Sequence, residues 1–112
     1  MRRISIEACR AFYNKRNYKK SNTQVSIDSL GDVKMTLFGN DIAWTRRGEI
    51  KFSLCGWGST TTLERLRTLG IPLKKSRGLI YLRDQYLPDL YASYDSGLCM
   101  NNRPDWLRNV NR

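Results

Sequence analysis

The chain has 112 residues, with 20 Lys and Arg against 10 Asp and Glu, and therefore a formal net charge of +10. A chain of this length builds one hydrophobic core rather than two, and 40% hydrophobic residues suffice for folding without a metal or a disulfide framework. No apolar run approaches the roughly 20 residues needed to cross a bilayer. The basic N-terminus leads into Glu7 and Arg10 rather than an apolar stretch, so we expect a cytoplasmic protein without a secretory signal.

The absence of histidine excludes several classes of chemistry. Every catalytic triad that depends on an imidazole base is ruled out, and the chain carries none of the glycine-rich phosphate-binding motifs. Cys9, Cys55 and Cys99 are odd in number and widely spaced, which predicts reduced thiols rather than a zinc site. Cys55 alone lies in a glycine-rich turn ahead of a helix, but it is several residues upstream of the helix start, so we do not expect it to be reactive. We therefore expect a non-enzymatic protein with no cofactor and no metal.

The N-terminal segment predicts a helix capped by Ser5. Ala8, Cys9, Phe12 and Tyr13 share one face of that helix, which is the apolar stripe of a helix packed on a core. The polar segment 17–22 that follows is predicted to be a loop.

The clearest structural signal is an alternation of apolar and polar residues from Thr23 to Leu54. A period of two indicates strands with one buried face, and the short links contain glycine. Four such strands with short links predict an antiparallel meander. We expect Trp44 and Phe52 to be buried against helices on one face.

A second helix is predicted from a capping box, in which the Thr61 hydroxyl and the Glu64 carboxylate satisfy backbone N–H groups at the helix start. A hairpin over residues 71–83 follows, and Pro88 suggests a short helix over Asp89–Tyr94. The predicted architecture is an α+β domain over residues 1–84, with residues 85–112 as a C-terminal extension packed on it or partly flexible.

Three sequence pieces resemble a group of small uncharacterised accessory proteins of tailed bacteriophages. The pieces are Asn22–Val25, Leu37–Ala43, and Gly56-Trp57 followed by Thr61–Leu66. The resemblance covers roughly residues 4 to 84 and implies a phage accessory protein with a helix, a meander, a second helix and a hairpin. It carries over no catalytic residue. Trp57, between two glycines, is expected to be a core plug at the loop–helix junction.

The predicted outer face of the meander is polar and positive. Its eight positions include Lys34 and Lys51, but no acidic residue and no Phe, Tyr or Trp. Sheets that read single-stranded RNA need aromatic side chains for base stacking, so sequence-specific recognition there is disfavoured.

Three basic clusters, all in predicted turns or at element ends, are the candidate nucleic-acid-binding residues. They comprise Lys15, Arg16, Lys19 and Lys20, then Arg46 and Arg47, then Lys74, Lys75 and Arg77.

The first hypothesis is binding to the DNA or RNA backbone with little sequence specificity. The alternative is a protein-binding inhibitor or adaptor that targets a host enzyme or defence complex, such as an anti-CRISPR, anti-restriction or polymerase inhibitor. Both place the protein in the cytoplasm of an infected bacterial cell, with no membrane and no small-molecule substrate as partners.

Overall fold

The structure, a computed structural model, describes the backbone of residues 2–110 and the side chains of residues 2–107. Three helices and nine strands follow one another in that part of the chain. They are α1 (Arg3–Tyr13), β1 (Tyr18–Lys20), β2 (Thr23–Ile27), β3 (Val33–Leu37), β4 (Asn40–Arg46), β5 (Glu49–Ser53), α2 (Thr60–Thr68), β6 (Leu73–Ser76), β7 (Leu79–Leu82), β8 (Gln85–Tyr86), β9 (Ser93–Cys99) and α3 (Asp105–Val110).

The predicted α+β fold and its antiparallel meander are confirmed. β2 to β5 pair in sequence order, and α1 and α2 pack on one face of the resulting sheet. The core between the two layers contains Phe12, Met35 and Phe52, all fully buried. The sheet is wider than predicted, because β1 extends one edge and β9 pairs with β5 at the other.

The start of α1 differs from the prediction. Arg2, not Ser5, occupies the N-cap position, and Ser5 lies within the helix with only 1% of its surface exposed. The segment predicted to be a loop contains β1, which forms an antiparallel pair with β2. β1 is polar because it is an edge strand, and its Tyr18 hydroxyl donates to Glu7 Oε1 at 2.9 Å.

Phe52 is buried as predicted, but the prediction that Trp44 is buried against the helices is wrong. Met35 pairs with Ala43 whereas Thr36 pairs with Asp41, so Ile42 is an extra residue in β4. This β-bulge inverts the side chains beyond it. Ala43 and Thr45 therefore face the core, and Trp44 lies on the opposite face.

The predicted capping box of α2 is also wrong. Ser59 is the N-cap residue, and its hydroxyl accepts a hydrogen bond from the backbone N–H of Thr62 at 3.1 Å. Glu64 instead turns towards α1, where its carboxylate binds the Ser5 hydroxyl at 2.5 Å. The predicted cap at Thr61 is therefore two residues too late.

The predicted hairpin forms as β6 and β7, and β8 adds a third strand to it. The helix predicted over Asp89–Tyr94 is absent there, because the chain enters β9 at Ser93. β9 is polar and bulged, and its pairing with β5 supplies the backbone hydrogen bonds that its own sequence pattern does not suggest. Trp106 in α3 donates its indole N–H to the Thr68 carbonyl at 3.1 Å. This hydrogen bond links α3 to the end of α2.

None of the helices within residues 2–110 combines the length and the apolar character that crossing a membrane requires.

Candidate functional site

All nine predicted binding cations are exposed, and they occupy three separate parts of the surface. The first cluster spans the end of α1 and β1, the second follows β4, and the third lies on the hairpin of β6 and β7. Lys15 and Arg47 line one cavity of about 240 Å³, so the structure brings the first two clusters together at that point. No hydrogen bond or ion pair among residues 2–107 joins the hairpin cluster to the other two.

Three of the nine cations have partners within the chain. Lys20 Nζ lies 4.0 Å from Glu7, and Lys74 Nζ lies 3.8 Å from Asp84. Lys75 donates to the Gly58 carbonyl at 3.1 Å. Because these pairs are solvent-exposed, they contribute little to stability and leave the cations free to exchange partners.

The open face of the sheet differs from the prediction in both charge and aromatic content. Trp44 lies between Lys34 and Lys51 on neighbouring strands. Asp41 and Asp95 lie on the same face and pair with these two lysines at 3.6 and 3.8 Å. The prediction of a positive face without acidic or aromatic residues is therefore wrong.

A depression of about 780 Å³ surrounds Trp44 on this open face. Its lining includes the carboxylate-bearing residues Asp28, Asp32 and Asp41 but only two cationic residues, Lys34 and Arg46. A phosphate chain would meet more negative than positive charge there. The depression is therefore not the part of the surface suited to a polyanion.

The positive charge is concentrated outside five of the six strands of the main sheet. Residues 23–53 and 93–99, which form β2 to β5 and β9 with their turns, hold four cationic and five acidic residues. The rest of the chain holds 16 cationic and five acidic residues. The surplus therefore belongs to α1, β1, α2, the hairpin and the C-terminal segment.

One cation, Arg65, is buried in the interface between α1, α2 and β2. Its guanidinium donates to the Ser5 hydroxyl at 2.6 Å, to Glu64 at 3.2 Å and to the Thr23 hydroxyl at 3.3 Å. We call Arg65 with these three residues the Arg65 network. Burial lowers the pKa of Arg65, and the charge of Glu64 opposes that effect. The network ties three elements together and leaves no position for a ligand.

Two carboxylates at this interface are held in the charged state. Burial raises the pKa of Glu64, but the hydrogen bond from Ser5 and the charges of Arg2 and Arg65 together keep it below its ordinary value. The hydrogen bond from Tyr18 lowers the pKa of Glu7. Burial, and to a smaller extent the same hydrogen bond, raises the pKa of Tyr18 to about 12.

An apolar groove lies at the end of the sheet where β3 turns into β4. Phe38 and Trp57 line it and are 73% and 70% exposed, and the buried side chains of Leu37, Ile42 and Leu54 lie beneath them. Its volume is about 400 Å³, and no charged residue lines it. We call this site the aromatic groove. The expectation that Trp57 is a core plug is wrong.

Sequence reasoning missed the aromatic groove because it did not identify which two residues form the turn between β3 and β4. Gly39-Asn40 reads as a hairpin turn, but Leu37 pairs with Asn40, so the two turn residues are Phe38 and Gly39. A side chain at the tip of a two-residue turn points into solvent. The Phe-Gly pair at the end of an alternating strand was the signal that could have revealed the exposed ring.

The three cysteines are free thiols in the structure. Cys9 is buried and donates to the Thr68 carbonyl at 3.2 Å, and burial raises the pKa of its thiol. Cys55 lies beside the aromatic groove and donates to the Asp41 carbonyl at 3.0 Å. Among the residues whose side chains are described, no three Cys, Asp or Glu residues cluster as metal ligands would.

Comparison with known proteins identifies one family. Neither the curated proteins nor the solved structures include a match to the chain. The family model described as Kyanoviridae Gp96 protein matches residues 1–86, which end with β8 and leave β9 and α3 outside the match. Since this match covers more than half of the sequence, the chain belongs to the Kyanoviridae Gp96 family of phage proteins.

Proposed function

We propose that the protein is a non-enzymatic phage accessory protein that binds DNA or RNA through the phosphate backbone in the cytoplasm of the infected cell. The observation that carries this proposal is the segregation of charge. The part of the chain outside β2 to β5 and β9 holds 16 cationic against five acidic residues. A surplus of positive charge of this kind attracts polyanions and raises their rate of association.

The side chains proposed to bind are long and exposed to solvent. Lys15, Arg16 and Lys19 carry no ion pair within residues 2–107, so their charges are available to phosphates. Lys20, Lys74, Lys75 and Arg77 extend the set along β1 and the hairpin. Phosphate contacts of this kind carry no sequence information, so binding is expected to be largely independent of sequence.

Arg46 and Arg47 contribute less than the other seven. Arg46 pairs across the strands with Glu49, whose charge opposes that of its neighbour. Arg47 lies at the turn beside Lys15 and contributes to binding from there. The structure therefore supports the first and third clusters as the main contacts.

The test compares two variants that remove the same charge from different surfaces. Lys15→Gln with Arg16→Gln removes two unpaired cations from the first cluster, and Lys34→Gln with Lys51→Gln removes two ion-paired cations from the open face. Affinity for a labelled duplex is measured by fluorescence anisotropy over a series of salt concentrations. We expect the log–log salt slope of the first variant to fall by about 1 to 2, because each lost phosphate contact contributes about 0.9.

The second variant controls for net charge and is expected to keep the slope of the unmodified protein. An affinity that does not depend on salt, or no binding to duplex or single strands at low salt, would reject nucleic-acid binding. The protein-binding inhibitor or adaptor would then be the leading function. The exposed aromatic groove favours that second candidate independently of the basic surface.

A further inference from the structure

The aromatic groove is a binding site in its own right, separate from the proposed contacts to phosphate. Two rings that are 70% or more exposed are unfavourable in water, and they lie together around an apolar surface. Large aromatic residues around a concave apolar surface are the usual composition of the central part of a protein interface.

Phe38 is unfavourable for folding in a second way, besides the exposure of its ring. Its φ is 52°, in the left-handed region that a bulky residue rarely adopts, and Gly39 follows with a φ of 80°. A turn with two positive φ values favours Asn-Gly, so phenylalanine is a poor choice for folding at this position. The same pair of positive φ values occurs at Arg47-Gly48 and Arg77-Gly78, so this turn geometry does not require phenylalanine, and the ring has to be explained by something other than the turn.

The loop that carries Trp57 is held in place from several sides. The Gly56 N–H donates to the Leu90 carbonyl at 2.7 Å, and the Trp57 N–H donates to the Leu54 carbonyl at 2.8 Å. A Cβ atom at Gly56 would overlap the Tyr91 ring, and one at Gly58 would overlap Ile80. The exposed ring therefore stands on an ordered backbone, which lowers the entropic cost of binding a partner.

The chemistry of the groove favours an apolar side chain over a nucleobase. No charged residue lines it, and the hydroxyls of Ser59 and Thr62 already bond to each other at 2.9 Å. Among the lining residues, Asn40 and Thr61 are the remaining polar partners for the edges of a base, and no cation is present to hold its phosphate. The exposed surface is mainly that of the Phe38 and Trp57 rings, with Leu37, Ile42 and Leu54 buried beneath it. The occupant is therefore an apolar residue of a protein.

The charges around the aromatic groove indicate which kind of protein binds there. Lys75 donates to Gly58, the neighbour of Trp57, and Phe38 donates its backbone N–H to Asn22, two residues after Lys20. Two lysines therefore lie near the rim of the aromatic groove, Lys75 beside Trp57 and Lys20 two strands from Leu37 in the register of β1, β2 and β3, and the whole chain carries +10. Two copies of this chain would repel each other at such a contact. An acidic partner is attracted to the same rim.

We propose that the aromatic groove binds an acidic partner protein, which inserts a large apolar side chain between Phe38 and Trp57 while its carboxylates meet the rim lysines. The proposal does not depend on nucleic-acid binding. The partner is defined by this chemistry: a negatively charged segment with a single Leu, Ile, Met or Phe anchor.

The experiment selects a random peptide display library on the full-length protein, with counter-selection on Phe38→Asn. That variant replaces the ring by the residue that the turn prefers, so its melting temperature should rise by a few degrees, roughly 4 °C. A loss of binding in Phe38→Asn therefore cannot be attributed to unfolding. We expect the selected peptides to carry net negative charge and one apolar anchor.

Affinities of synthetic versions of these peptides, measured by fluorescence anisotropy, complete the test. Replacing the anchor by Ser, or using Phe38→Asn or Trp57→Ser, should weaken binding by about 30-fold or more, as expected for an interface hot spot. The Lys15→Gln, Arg16→Gln protein should bind the peptides like the unmodified protein, which separates this site from the phosphate contacts.

Three results of the selection would overturn the proposal. They are a selection that yields no peptides, peptides that bind Phe38→Asn equally well, and peptides without acidic residues. Displacement of a peptide by a single-stranded oligonucleotide whose own affinity depends on Phe38 would also overturn it, because the groove would then be a base-stacking site.

Discussion

The Arg65 network and the aromatic groove both depart from the usual arrangement of charged residues outside and apolar residues inside. The first buries a charge, and the second exposes two large rings. Arg65 is 2% exposed, and Phe38 and Trp57 are at least 70% exposed. Each arrangement is unfavourable by itself, since burying a charge costs hydration and exposing a ring forgoes hydrophobic stabilisation. The difference lies in what surrounds each one.

The surroundings of Arg65 offset its cost within the chain. Its guanidinium reaches Ser5, Glu64 and Thr23, so the buried charge is both hydrogen-bonded and neutralised. No side chain within residues 2–107 does the same for the rings of the aromatic groove. The buried charge of Arg65 is stabilised by partners within the chain, so its role is structural. The exposed rings have no such partners, which indicates that they bind another molecule.

The largest expected effect comes from breaking the Arg65 network. Arg65→Ala should lower the free energy of unfolding by about 3 kcal/mol, because it removes the link between two helices and leaves the Ser5 and Thr23 hydroxyls without their charged donor. Urea unfolding followed by circular dichroism measures the loss. Arg65→Lys keeps the charge and should lose less; equal stability of all three proteins would contradict a structural role.

A smaller effect is expected from acid. Glu64 and Glu7 have folded-state pKa values below the ordinary 4.5, so the unfolded chain takes up protons first as the pH falls. Stability should be complete above about pH 5 and decrease as the pH falls through the folded-state values. Unfolding free energies measured across this range test the direction. Glu64→Gln should be less stable at neutral pH and should show a shallower decrease in acid.

The smallest effect on stability is expected at the aromatic groove. Trp57→Ser should change the free energy of unfolding by less than about 0.5 kcal/mol, because the exposed ring leaves little burial to lose on folding. The same urea titration gives the value, and Phe52→Ala in the buried core is the matched control, with an expected loss of about 3 to 5 kcal/mol. A large loss in Trp57→Ser would mean that the ring packs within the fold.

The sequence predicted the centre of the fold better than the site. The alternation from Thr23 to Leu54 located four strands and the burial of Phe52, since side-chain period is a local property of the backbone. The helix caps were displaced, because Thr61 and Glu64 match a local signature that Ser59 satisfies first. The nine predicted cations stay a prediction, whereas of the aromatic groove only Phe38 had a signal in the sequence, the Phe-Gly pair at the end of a strand, and Trp57 was expected to be buried.

What the sequence by itself determined is the α+β meander, the two helices on one face, the hairpin and the surplus of positive charge. Only the tertiary structure decided which way Trp44 points, because one extra residue at Ile42 inverts the strand and a bulge leaves no trace in a period-two pattern. The same holds for β9, whose polar sequence becomes a strand only because β5 presents an unpaired edge to it. It holds also for Arg65, whose burial depends on Ser5 and Thr23, which lie 60 and 42 residues away along the chain. Local preferences fix the elements, and contacts between distant residues fix what each element buries or exposes.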